Sequence, residues 1–243
     1  MITRKDAATF FTRGYEKYLP HVSVDCVIFG FHRAELKLLL LKWKQANIWT
    51  LPGGYIGRRE SLEAAAHRVM RDRTGLKNVF LHQFHAFGST KRKEASIRKL
   101  FGILGLPVSR DAWPLGRVIS IGYYALVDFS RVRPQADYLS DTCAWHAIDE
   151  RPPLAFDHDD IVTKALETLR SSLDSPSLVA TLLPERFTMP ELQRLHEAIL
   201  GRPLDRRNFQ KKMLDRGIVE RLAERRTGGA HRSPFLYRFT TQT

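Results

Sequence analysis

Apolar and polar positions in the first third of the chain change period twice. Val22-Ser23-Val24-Asp25-Cys26-Val27-Ile28-Phe29 is rich in β-branched residues and predicts a strand. Leu36-Lys37-Leu38-Leu39-Leu40-Leu41 predicts a second strand, reached through a turn at Arg33-Ala34-Glu35. Trp43 and Trp49 flank a short polar loop, and Leu51-Pro52-Gly53-Gly54 then reads as a strand end and a glycine turn. Adjacent glycines after a proline permit positive φ and close approach of backbone to a ligand. From Ser61 the period becomes helical, with Leu62, Ala65, Ala66, Val69 and Met70 on one stripe. Ser61 is placed to cap this helix and Gly75 to end it.

Strand and helix patterns continue to alternate. Val79 to Phe87, Val118 to Val127 and Ala144 to Ile148 predict strands, and Ile161, Ala165, Leu166 and Leu169 mark a helix ending near Ser171-Ser172. Between the first two of these strands, residues 89–116 form a long connection opening on Lys91-Arg92-Lys93. There Ile97, Leu100, Phe101 and Leu104 predict an amphipathic helix, a lid, a contact surface or a local decoration. Asp157-His158-Asp159-Asp160 precedes the late helix, where acidic residues favour the positive end of the helix dipole, so we read it as capping rather than metal binding. Leu173-Asp174-Ser175-Pro176-Ser177 is a Pro/Ser break, which divides the chain into domains 1–174 and 175–243.

Beyond the break the grammar is helix, turn, helix, hairpin. Thr188-Met189-Pro190-Glu191 has the form of a capping box, Leu192, Leu195 and Ile199 form a stripe, and Gly201-Arg202-Pro203 stops the helix. Asp205 caps a second helix, Arg206 to Arg216, with Phe209 and Met213 facing inward. Ile218 to Leu222 and Phe235 to Phe239 predict two strands around a basic glycine turn, Arg225 to Arg232. This order is that of a winged helix-turn-helix.

Charge sharpens that reading. The 243-residue chain carries a formal net charge of +13, with 43% hydrophobic and 27% charged residues. Such a composition excludes a disordered chain, and the surplus points to a polyanionic partner. From Pro176 onward, 13 Lys and Arg stand against seven Asp and Glu, a net of +6 clustered on the second helix and the hairpin tip. Arg206, Arg207 and Gln210 are placed to read bases. Lys211, Arg225, Arg226 and Arg232 are placed to meet phosphates. Cys26 and Cys143, the two cysteines, offer no disulfide framework or metal knuckle, which suits a reducing cytoplasm. No apolar run is long enough to predict a membrane span, and the N-terminus has no apolar signal core.

Gly54 to Leu76 resembles the Nudix box: Gly, five residues, Glu, seven residues, then Arg-Glu-apolar-any-Glu-Glu-any-Gly-apolar. Gly54, Glu60, Arg68, Met70, Gly75 and Leu76 fall on the pattern, whereas Val69 replaces one Glu and Asp72-Arg73 replaces the Glu pair. In the family these carboxylates hold a divalent metal against a substrate diphosphate. Magnesium requires several hard oxygen ligands, so the resemblance implies a scaffold kept without its catalyst: no catalytic residue, metal or cofactor is expected.

Nearly the whole chain is similar to the bacterial Nudix-related transcription regulators of NAD metabolism or arabinose use, although the 89–116 insertion is longer than the family's usual loop. Phe187-Thr188, His196-Glu197-Ala198-Ile199 and Asp205-Arg206-Arg207-Asn208-Phe209 resemble their DNA-binding half. Leu154 to His158 resembles their linker entry, and Ile119 to Leu126 their late Nudix strand. This resemblance implies an α/β (α+β) architecture, a Nudix-type α/β/α sandwich with a smaller winged helix-turn-helix domain. It also implies a repressor-type cytoplasmic homodimer on a palindromic operator of double-stranded DNA. A small-molecule effector, an ADP-ribose-like nucleotide or a pentose such as arabinose, is expected at Gly53, Gly54, Arg58, Glu60 and Arg68. Two other readings stay open. One is an active Nudix hydrolase carrying a DNA-binding domain, with Glu60, Glu63 and Asp72 as its nearby carboxylates. The other is an inactive Nudix module that binds RNA.

Overall fold

A computed structural model describes residues 9–10, 12–44, 47–89, 98–99, 102, 113–129, 135–136, 140–173, 180–226 and 233–240. The helix expected from Ile97, Leu100, Phe101 and Leu104 lies outside these residues, as does the expected boundary at Asp174-Ser175. The chain packs as two units, Met1–Phe29 with Leu38–Ala125 and Val132–Ala165, and Gly30–Lys37 with Leu126–Arg131 and Leu166–Thr243. Among the described residues no helix is long and apolar enough to cross a membrane.

The first half is built on a seven-stranded sheet of order β3-β2-β1-β6-β5, with β4 paired to β1 and β7 to β2. Its strands are β1 (Tyr18–His32), β2 (Glu35–Trp43), β3 (Trp49–Thr50), β4 (Gly53–Gly57), β5 (His82–Phe87), β6 (Ile119–Val127) and β7 (Ser140–Ala147). Residues 23–30 of β1 are buried without alternation, as expected of a central strand covered on both faces. Arg33 and Ala34, both at positive φ (50° and 63°), make the tight turn into β2. Helix α1 (Leu62–Thr74) buries Ala65, Ala66, Val69 and Met70; Ser61 accepts from the Ala64 amide at 3.1 Å, and Gly75 ends it at φ 76°. Helix α2 (His158–Ser171) buries Ile161, Val162, Ala165 and Leu169.

Some sequence expectations change here. The strand expected from Val79 begins three residues later, at His82. Gly53-Gly54 is not a turn but the start of β4, and neither glycine has positive φ. The strand at Ala144 begins four residues earlier, at Ser140.

The winged helix contains α3 (Met189–Leu200), α4 (Arg206–Asp215) and a three-stranded sheet of order β8-β10-β9, formed by β8 (Phe187–Thr188), β9 (Val219–Arg225) and β10 (Phe235–Phe239). Phe187, Met189, Leu192, Phe209, Met213, Ile218, Val219 and Tyr237 form its core. Strand β8 was not legible as a strand because two residues carry no period. It exists because Phe187 and Thr188 pair with Tyr237 and Leu236.

Candidate effector loop and nucleic-acid interface

Strand β4 delivers the box, and its glycines answer a steric demand. Gly53 lies opposite Asp25 in the β1–β4 register, and a Cβ on it would sit 2.0 Å from Asp25 Oδ1. A Cβ on Gly54 would lie 3.0 Å from Val69 Cγ2 on α1. The glycines therefore admit close packing of the protein against itself. Asp25 is buried and accepts from the Ser120 hydroxyl, and its Oδ1 is 3.4 Å from His158 Nε2. His158 in turn accepts from the Leu51 amide through Nδ1 at 2.9 Å. With the Trp49 carbonyl accepting from the Ala155 amide at 2.9 Å, the Leu154–His158 segment is clasped to the strand that leads into the box. His158 faces Leu51, Asp159 accepts from the Leu154 amide at 3.0 Å, and Asp160 is exposed.

Glu60 and Arg68 meet as a two-pronged pair, Arg68 Nε to Oε1 at 2.7 Å and Nη2 to Oε2 at 2.9 Å. Arg68 Nη2 also donates to the Tyr55 carbonyl at 2.8 Å, and Glu60 Oε2 accepts from the Gly57 amide at 2.9 Å. The Arg68 hydrogen bond, helped by the Gly57 amide, holds the Glu60 carboxyl below the usual carboxylate range, outweighing its partial burial. Arg58 is exposed and uses Nε to donate to the Tyr15 carbonyl at 2.9 Å. Gly53, Gly54, Glu60 and Arg68 are therefore occupied by internal packing and bonding, with Arg58 at their edge. Val69, in the place of a family carboxylate, is buried against Gly54, and Arg73 is 7% exposed.

In the winged helix the arrangement inverts. Asp205 Oδ1 accepts from the Asn208 amide at 2.8 Å, and Phe209 and Met213 lock α4 into the core. Arg206, Arg207 and Lys211 are exposed and Gln210 is half-buried; among the described residues none of the four makes a side-chain bond or ion pair. Arg207 and Lys211 stand one turn apart on the side away from Phe209. A brace invisible in the sequence fixes the turn before α4. Glu197 Oε1 accepts from the Leu204 amide at 2.8 Å and from Gln193 Nε2 at 2.9 Å, and those bonds depress its pKa.

Other cations expected at phosphates are already engaged. The Arg225 guanidinium lies 3.9 Å from the centroid of Phe235 and donates to the Ser233 carbonyl at 3.0 Å. Arg226 Nη1 donates to Glu191 Oε1 at 2.7 Å. Arg232 lies outside the described residues.

Both halves of the chain have counterparts among known proteins. The NUDIX domain family matches residues 19–165, and the NrtR DNA-binding winged helix domain matches residues 179–239. The ADPR responsive transcriptional repressor NtrR of Acinetobacter baylyi is 30% identical over 230 residues, 92% of this chain and 83% of its own length. The chain belongs to the NrtR family of Nudix-related transcription regulators. The crystal structure of Shewanella oneidensis NrtR complexed with a 27mer DNA aligns over 90% of this chain and 93% of its own, with a TM-score of 0.67 and 26% identity. An ADP-ribose pyrophosphatase of Methanocaldococcus jannaschii is 30% identical over 152 residues, 61% of this chain and 75% of its own length. As in other NrtR-family chains, a Nudix fold here carries a DNA-binding winged helix.

Proposed function

We propose that this regulator is a repressor whose hold on its operator is set by an ADP-ribose-like nucleotide, bound against the Gly53–Glu60 segment and not efficiently hydrolysed. The observation that carries the DNA side is the outward trio Arg206, Arg207 and Lys211 on a helix held by Asp205 and by the Glu197 brace. Such a helix enters the major groove with its N-terminal residues at base edges, where arginine suits guanine and Gln210 suits adenine. On the effector side, Arg58 offers an exposed cation to a phosphate, beside a loop held rigid by Glu60 and Arg68. The name of the Acinetobacter relative favours ADP-ribose over a pentose. The box supports the proposed absence of efficient hydrolysis. Val69 is buried where a metal-binding carboxylate would stand, and Arg73 brings a cation. Two chains, paired in a homodimer, would place two winged helices on a palindromic operator.

The test is fluorescence anisotropy of the full chain on a duplex from upstream of its own gene, at fixed salt, with and without ADP-ribose and arabinose. Specific binding released by ADP-ribose supports the proposal; binding moved only by arabinose replaces the effector with a pentose. The methanogen relative, an ADP-ribose pyrophosphatase, favours a second reading as a DNA-tethered hydrolase. Magnesium-dependent hydrolysis of ADP-ribose at ordinary enzyme rates would establish that reading instead.

A further inference from the structure

We infer that Arg226 is a positioning residue that ties the base of the wing to helix α3 through Glu191, rather than a contact to DNA phosphate. The inference rests on the DNA-binding reading above. Arg226 follows the last residue of β9, and its own amide donates to the Pro234 carbonyl at 3.0 Å, closing the base of the wing. Its Nη1 reaches Glu191 Oε1 at 2.7 Å. The other oxygen of the same carboxylate accepts from the Thr188 amide at 2.7 Å and from the Thr188 hydroxyl at 2.9 Å, completing the capping box of α3. Thr188 is also the end of β8 and pairs with Leu236 of β10. One carboxylate therefore joins the wing, the small sheet and the start of α3.

Electrostatics argue the same way. Burial works to raise the Glu191 pKa, but the Thr188 bonds and Arg226 outweigh it and keep the group ionised. A phosphate drawn to Arg226 would be repelled by that negative charge, which is only partly exposed and already lies 2.7 Å from the guanidinium. Arg206, Arg207 and Lys211 face no such neighbour among the described residues. A wing base held at a fixed angle to α3 is thereby held relative to α4, since α3 and α4 share one core.

The two roles separate in salt-dependent titrations of the full chain, using the upstream duplex and a random-sequence duplex of equal length. Each lost phosphate contact lowers the slope of log affinity against log salt by about 0.9. Arg226→Ala is expected to weaken binding about fivefold, the scale of a part-exposed ion pair, with the slope unchanged. A slope reduced by about one would overturn the assignment. Glu191→Gln keeps an oxygen for the Thr188 amide, and the two roles predict opposite signs for it. A strut predicts weaker binding, with no further loss in the double variant. Tighter binding, from a released arginine and one fewer carboxylate, would reject it. Arg207→Ala tests the underlying reading separately. If it changes neither affinity nor slope, α4 is not the DNA-reading helix, whatever Arg226 does.

Discussion

The box loop and α4 both carry arginines at exposed or half-exposed positions, yet they treat them in opposite ways. In the box, Arg68 is consumed by Glu60 and the Tyr55 carbonyl, so its charge stabilises the loop. On α4, Arg206 and Arg207 follow a capping Asp205 and make no ion pair among the described residues, so their charge faces outward. The difference lies in what stands one or two turns away. Glu60 is eight residues before Arg68, across the β4–α1 connection, whereas α4 offers only buried Phe209 and Met213 on its inner side. A cation's role is set by its neighbours more than by its type.

The largest expected effect tests the closed half. Gly53→Ala places a Cβ 2.0 Å from Asp25 Oδ1, beneath a buried network, and should cost about 3 kcal/mol as overpacking, read as a lower thermal midpoint of the Nudix unit. Val69→Glu with Arg73→Glu restores two of the three departed box positions, leaving Asp72 as the third. It inserts a carboxylate at a 1% exposed site packed on Gly54, so it should destabilise by about 2 kcal/mol without restoring magnesium-dependent hydrolysis. Recovered hydrolysis would show that the closed half opens readily.

The open half is tested by Arg207→Ala, expected to cost about 1–3 kcal/mol on the upstream duplex and clearly less on random DNA. Equal losses on both would make Arg207 a phosphate contact. The smallest effect sharpens the Glu60–Arg68 clip. Glu60 has a folded pKa below its unfolded value, so its stabilisation is complete above the ordinary glutamate value of 4.5 and fades as pH falls through the folded pKa. Thermal midpoints of wild type and Glu60→Gln should differ by a constant amount near neutrality and converge in that acidic window.

Elements whose signal is local were readable from the order of residues alone. Helices α1, α3 and α4 could be read with their caps at Ser61, Thr188 and Asp205, because capping and helical period involve residues only a turn apart. The outward basic face of α4 was legible for the same reason, and so was the degenerate box, whose spacing is linear. Tertiary structure alone decided the partnerships that span the chain. Leu51 meets His158 across 107 residues, Asp25 meets Ser120 across 95, and Arg226 meets Glu191 across 35. It also reassigned Gly53 from a flexible turn to a tightly packed strand, since nothing near Gly53 in sequence announces that Asp25 lies opposite. Periodicity records which face of an element is buried; it holds no record of what that face, or a charge at its edge, will meet.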